Sequence, residues 1–201
     1  MSKCVVIGVT GGIAVYKALD VISALRKKDI EVYVIMTESA SKFVNPLTFQ
    51  SISQNMVVTD MFAEPKAWEI QHISLAQKAD LMLIAPATAN VIGKISNGIA
   101  DDMLSTTLLA CRCKKLVAPA MNTNMYENPI TQANLQKLRD FGMEVIEPAT
   151  GLLACKAVGK GKMPSEEVLL SHILQEIQYE HDMEGKRVLI TAGPTREAID
   201  P

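Results

Sequence analysis

Apolar residues in this chain come in short unbroken runs separated by amphipathic stretches, and the alternation repeats. Lys3 to Val9 reads as a buried strand, Gly11-Gly12 as a turn, and Ile13 to Lys28 as a helix with Ala18, Leu19, Ile22 and Leu25 on one face. Glu31 to Met36 is a second strand, Leu81 to Ala85 a third and Lys115 to Ala118 a fourth; helical patterns run from Asp101 to Ala110 and from Pro129 to Phe141. A fifth strand, near Met143 to Ile146, leads to a loop from Pro148 to Pro164 and then to a helix from Ser165 to Gln178. Strands alternating with helices predict an α/β fold with a doubly wound parallel sheet, and a loop that long between elements is expected to be functional or disordered.

Two of the strands end alike. Leu81-Met82-Leu83-Ile84 runs into Ala85-Pro86-Ala87-Thr88-Ala89-Asn90, and Leu116-Val117 into Ala118-Pro119-Ala120-Met121-Asn122. Proline lacks the N–H a ladder needs, and small residues beside it leave backbone accessible where an open α/β sheet keeps its ligand crevice. Two neighbouring strands are expected to open onto one ligand.

Composition narrows what that ligand is. With 201 residues at 48% hydrophobic, the chain can bury a full core. Its 20 basic and 22 acidic residues leave a net charge of −2 without long like-charge runs, which argues for small molecules over nucleic acid or an anionic membrane. No stretch approaches the roughly 20 apolar residues of a membrane span, and no basic-then-apolar leader precedes the first strand, so the cytoplasm is the expected location. The four cysteines, Cys4, Cys111, Cys113 and Cys155, lack zinc-site spacing and fit free thiols in a reducing compartment, with no metal expected. Cys4, in a core strand, reads as packing.

The first turn, Gly8-Val9-Thr10-Gly11-Gly12-Ile13-Ala14, has the composition of an anion site, because glycine backbone can approach a phosphate and the helix that follows favours negative charge. It matches neither the dinucleotide G-x-G-x-x-G fingerprint nor a phosphate loop ending in G-K-[ST], and a tight turn without ligand fits it too. Thr37-Glu38-Ser39-Ala40-Ser41, after the second strand, offers hydroxyls to a mononucleotide phosphate, while Glu38 could instead bind a ribose. His72 lies where Ile70 to Leu75 opens a short helix, a position that keeps an imidazole neutral and available as a base; a surface or satisfied core histidine is the alternative. Cys155 stands in a lysine-bearing loop, Gly151 to Met163, whose cations favour thiolate, can hold an anionic substrate and could close as a lid.

Five motifs in order carry a resemblance: Gly8 to Ala14; His72-Ile73-Ser74-Leu75; Pro86-Ala87-Thr88-Ala89-Asn90; Pro119-Ala120-Met121-Asn122; and Ala154-Cys155 with Gly159-Lys160-Gly161-Lys162-Met163. Over about residues 1 to 180 the chain resembles the flavin-dependent cysteine decarboxylases, and among them the phosphopantothenoylcysteine decarboxylases. The resemblance implies a flavodoxin- or Rossmann-like three-layer sandwich holding FMN. It implies a phosphate site at Gly11, Gly12, Ile13, Thr37 and Ser39, a flavin wall at Thr88, Ala89, Asn90, Val91 and Ala120, and substrate contacts at Asn122, Ala154, Lys162 and Met163. Relatives commonly carry threonine where Val91 stands. The implied substrate is 4'-phospho-N-pantothenoylcysteine, and the implied assembly a homotrimer, or four trimers together, with the Asp101 to Ala110 helix contributing.

Direct loss of CO2 from a cysteinyl carboxylate would leave an unstabilised carbanion. In the family's chemistry, FMN oxidises the cysteine side chain to a thioaldehyde, decarboxylation gives an ene-thiol, and reduced FMN with a proton donor restores the thiol. By match, His72 is the base, Asn122 orients the carboxylate and Cys155 donates the proton. A non-catalytic flavoprotein subunit, or a relative acting on peptidyl cysteine or on the flavin itself, is the rival; the intact residues and the Cys155 loop argue against it. After a polar linker, 181–186, the run Arg187 to Thr195 predicts a strand and glycine turn, and Ile190-Thr191-Ala192-Gly193-Pro194-Thr195-Arg196-Glu197 resembles the start of a phosphopantothenate-cysteine ligase. Residues 1–180 are therefore expected to form one domain, and 187–201 to open a shortened second, fused one; an edge strand added to the same sheet is the alternative.

Overall fold

Val5, Ile7 and Val9 enter one apolar cluster while Val6, between them, enters another, so the first strand is buried on both sides. That pattern belongs to a central strand of a parallel sheet. The computed structural model describes residues 3–62, 70–152, 158–179 and 185–191. Strands β1 (Cys4–Val9), β2 (Glu31–Met36), β3 (Leu81–Ala87), β4 (Lys114–Pro119) and β5 (Glu144–Val145) form one sheet in the order β2-β1-β3-β4-β5. All four pairings are parallel. This is the flavodoxin-like order, and its strand sequence reverses between β1 and β3, where such sheets place their ligand.

The helices are α1 (Lys17–Arg26), α2 (Glu38–Ser41), α3 (Pro46–Ser53), α4 (Gln71–Lys78), α5 (Ala89–Ser96), α6 (Met103–Ala110), α7 (Thr123–Glu127), α8 (Pro129–Asp140) and α9 (Glu166–Gln178). Helices α1, α3 and α9 supply buried residues to the first cluster; α4, α5, α6 and α8 supply them to the second. The result is the expected three-layer sandwich. Among the described residues, no helix is long and apolar enough to cross a membrane.

Strands end by handing the chain to a cap. Thr37 after β2, Thr88 after β3 and Asn122 two residues after β4's exit at Ala120 each accept, through the side chain, a backbone N–H of the helix that follows. Each cap contributes on the order of 1 kcal/mol and fixes where its helix starts. All three caps lie at the carboxyl edge of the sheet.

Several predicted boundaries shift for physical reasons. The helix expected from Ile13 begins as a 3-10 turn, Ile13–Tyr16, and α1 buries Val21 with Ala18, Ile22 and Leu25, leaving Leu19 partly covered. Pro86 does not end its ladder: β3 runs through it to Ala87, which pairs with Pro119, the last residue of β4. A register shift between Ile84 and Ala87 makes room, since a bulge is where a missing N–H leaves no empty rung. The shift also reverses the alternation, placing Ala87 in the same cluster as Met82 and Ile84. The loop expected from Pro148 to Pro164 contains an antiparallel hairpin, β6 (Ala149–Leu152) and β7 (Val158–Lys162), outside the main sheet. Residues 185–191 form a turn and irregular backbone where a strand was predicted from Arg187; the linker's 181–184 and the remainder of the tail lie outside the described residues.

At the opposite edge of the sheet, Cys111 closes α6 and its Sγ lies 3.1 Å from that of Cys113. Sharing a hydrogen bond pulls the Cys111 thiol down and pushes its partner up. Burial pushes Cys4 up to about 12, in keeping with a packing role.

Candidate functional site

The site is assembled from three strand exits and the hairpin. Beyond β1, the fully buried Thr10 donates its hydroxyl to the Pro86 carbonyl at 2.6 Å and accepts the Thr88 N–H at 3.1 Å. One side chain thus ties the first turn to the exit of β3, whose Ala85-Pro86 peptide is cis. Gly11 packs so closely on the next loop that a Cβ there would sit 2.4 Å from the Ser39 Cβ and 2.9 Å from its carbonyl carbon. Only glycine lets the two loops meet. Gly12, by contrast, has ordinary space.

The exits of β3 and β4 run side by side, with the Ala120 N–H donating to the Ala87 carbonyl at 3.0 Å. One residue on, the Met121 N–H donates to the Gly161 carbonyl of β7 at 2.9 Å. Gly161 has φ +142, and a Cβ there would lie 2.4 Å from the Met121 carbonyl oxygen. Gly159 is equally tight against Thr123. The two glycines let the hairpin lie flat on the start of α7.

A carboxylate anchors the hairpin's other side. Glu147 accepts from Lys160 at 2.6 Å, from Arg139 of α8 at 2.8 Å and from the Tyr126 hydroxyl of α7 at 3.0 Å. The Lys160 ammonium stands 5.6 Å from the centre of the Tyr126 ring. These contacts, led by the Lys160 hydrogen bond, hold the Glu147 carboxyl below its usual range, and Glu147 in turn raises Lys160.

Between turn, exits and hairpin lies a cavity of about 570 Å³, within the size range of cofactor and substrate sites. Among its lining residues are Gly11, Gly12 and Ile13 from the first turn, and Thr88 and Ala89 after β3. Ala120 and Asn122 after β4, and Lys162 and Met163 from the hairpin, complete the match with the predicted site. Of the remaining predicted residues, Ser39 backs Gly11 without lining the cavity, and the Thr37 hydroxyl accepts the Ala40 N–H at 3.2 Å. Val91 turns its side chain into the core, and its N–H donates to the Thr88 hydroxyl at 3.4 Å; Asn90 is exposed on α5.

His72 is not brought into this cavity. It sits half-buried in the first turn of α4, in the layer across the sheet from α1. Ala154 and Cys155 lie outside the described residues, in the chain between β6 and β7. Sequence reasoning missed Thr10, the bridge between β1 and β3, and Lys17, which lines the cavity from the start of α1. A hydroxyl inside a glycine turn was a usable signal for the first; the second faces residues far along the chain. Among the described residues, no group of three or more histidine, cysteine or acidic side chains is placed to hold a metal.

The pattern of the flavoprotein family matches residues 1–178, and the chain belongs to that family. The coenzyme A biosynthesis bifunctional protein CoaBC of Bacillus subtilis (strain 168) is 52% identical over 204 residues, covering 100% of this chain and 50% of its own length. The chain thus spans about half the length of the curated relatives it matches. Among solved structures, a PPC decarboxylase mutant complexed with pantothenoylaminoethenethiol superposes with a TM-score of 0.79 at 27% identity, covering 89% of this chain and 100% of that one. The FMN-dependent cysteine decarboxylase SpaF superposes with a TM-score of 0.74 at 29% identity, covering 87% and 97%.

Proposed function

We propose that this chain is an FMN-dependent decarboxylase that converts 4'-phospho-N-pantothenoylcysteine to 4'-phosphopantetheine in coenzyme A biosynthesis. The observation that carries the reading is the one cavity in which the Gly11-Gly12 turn, the Ala120 and Asn122 exit and Lys162 of the hairpin meet. The residues fit the cofactor: the close packing of Gly11 on Ser39 brings the glycine turn against the loop after β2, and the small side chains of Ala89 and Ala120 line the cavity beside it. In this reading Gly11, Gly12 and Ile13, with Thr37 and Ser39 behind them, hold the phosphate, while Thr88 to Val91 and Ala120 hold the flavin. When bound, FMN supplies the reversible two-electron oxidation of the substrate's cysteine side chain that makes CO2 loss feasible.

The chain's own residues do the rest. The neutral Asn122 amide orients the substrate carboxylate without favouring its charge over the neutral CO2 that departs. Cys155, carried by the hairpin, donates the proton that restores the saturated thiol. His72 is the base, and its distance from the cavity is accounted for by a homo-oligomer, a trimer or four trimers, in which one copy's His72 serves a neighbour's cavity. Residues 187–201 open the ligase domain of a longer bifunctional protein, beyond the linker 181–186. Free thiols at Cys4, Cys111 and Cys113 support a reducing, cytoplasmic setting.

The test is CO2 release from phosphopantothenoylcysteine by the purified protein, with the extracted flavin identified by mass. Release with bound FMN is expected; a flavin-loaded protein that releases none would sink the reading. Coexpressing His72→Asn and Asn122→Ala chains, each inactive alone, should restore turnover in mixed assemblies, and no restoration would return His72 to its own chain's site.

A further inference from the structure

Among the described residues lining the cavity, two are charged, and both are cations: Lys17 in the first turn of α1 and Lys162 at the end of β7. Among the described residues neither has a carboxylate within ion-pair distance, whereas Lys160 of the same hairpin is paired with Glu147. The two ammonium groups are near enough for Lys162 to act on Lys17, which burial and then this like charge hold below the usual lysine range; Asp20, one turn along α1, offsets part of it. Two cations lining one cavity repel each other, and an anion placed between them relieves that repulsion.

Building on the decarboxylase reading, we propose that Lys17 and Lys162 form the subsite for the substrate's phosphate monoester and set the enzyme's preference for the phosphorylated substrate. The substrate carries two anions, and the chemistry separates them. A cation on the carboxylate would stabilise the ground state against loss of neutral CO2, so that group belongs with the uncharged Asn122. The phosphate does not react, and a dianion matches two ammonium groups in charge. The cofactor's phosphate has a different cradle, the uncharged turn at Gly11 to Ile13 packed on Ser39.

The experiment compares kcat/KM for phosphopantothenoylcysteine and its dephosphorylated analogue, pantothenoylcysteine, in the flavin-loaded enzyme and in its Lys17→Met, Lys162→Met and Lys17→Arg variants. Each methionine variant should lose about tenfold or more of the preference for the phosphorylated compound, chiefly through KM, and Lys17→Arg should recover most of it. In parallel, displacement binding should show 4'-phosphopantetheine favoured over pantetheine by the parent enzyme and not by Lys17→Met, with the flavin-to-protein ratio unchanged. An undiminished preference in both methionine variants would overturn the subsite while leaving the decarboxylase reading intact. Loss of flavin from Lys17→Met, with the preference kept in the flavin-loaded fraction, would overturn it in favour of the cofactor's phosphate. A parent enzyme that turns over neither compound would overturn the decarboxylase reading and the subsite with it.

Discussion

The exits of β3 and β4 share an Ala-Pro-Ala motif and lie side by side, yet they are fastened to different things. The β3 exit is fully buried and tied backward, through Thr10, to the turn after β1. The β4 exit is half-open at Ala120 to Asn122 and tied forward, through Met121 and Gly161, to the hairpin. One motif therefore serves two walls: a rigid one sealed into the sheet at its switch point, and one that depends on a two-stranded ribbon outside it. The difference lies less in the motif than in what each exit finds within hydrogen-bonding reach.

Breaking the second wall should have the largest effect on activity. In Gly161→Val the new side chain meets the Met121 carbonyl, at a backbone angle that only glycine adopts without strain. Misplacing the hairpin by an ångström should lower kcat/KM on the order of 10²-fold with a small change in melting temperature. A parent-like kcat/KM would show that the hairpin's seat does not matter for turnover. The first wall should answer in stability instead. Thr10→Val leaves the Pro86 carbonyl and the Thr88 N–H without their buried partner, which should cost about 1–3 kcal/mol in urea unfolding and lower the flavin content of the purified protein.

Asn122 stands where the two walls meet and does two things that can be separated. Asn122→Ala should lose the α7 cap at a cost of about 1 kcal/mol. Asn122→Asp should keep the cap, and with it the unfolding midpoint, but, with the substrate carboxylate held there as proposed, set a like charge beside it and abolish CO2 release. Equal activity losses without any difference in stability between the two would show that the side chain does not cap. The smallest effect concerns the Glu147 anchor. Its folded-state pKa lies below the usual 4.5, so its contribution is complete above that value and is lost as pH falls through the lowered one. Limited proteolysis of the hairpin should therefore quicken as pH drops below 4.5, and Glu147→Gln should flatten that dependence.

The sheet, the paired exits and the glycine turn were legible because buried parallel strands are unbroken apolar runs and because glycine and proline mark turns. The hairpin was not, since Ala149, Thr150, Leu152 and Val158 are exposed and a ribbon without a buried face leaves no alternation to read. Helix α5 was not among the predicted elements, because Gly93 and three β-branched residues, Val91, Ile92 and Ile95, weaken its helical signal. His72 was assigned to the right element, a short helix starting near Ile70, but spacing along a chain does not reveal which layer of a sandwich a helix joins. The nearness of Lys17 to Lys162 is tertiary in origin and leaves no local trace.

The hairpin adds no strand to the five-stranded sheet, and among the described residues it meets the body through the Met121 to Gly161 hydrogen bond, the glycine contacts, the Glu147 ion pair with Lys160 and the buried Met163 at its end. Modularity follows. A ribbon that lies outside the sheet can be exchanged, lengthened or regrafted without rebuilding the Gly11-Gly12 turn, so a lineage built on this sheet can remodel one side of its cavity while the other stays as it is.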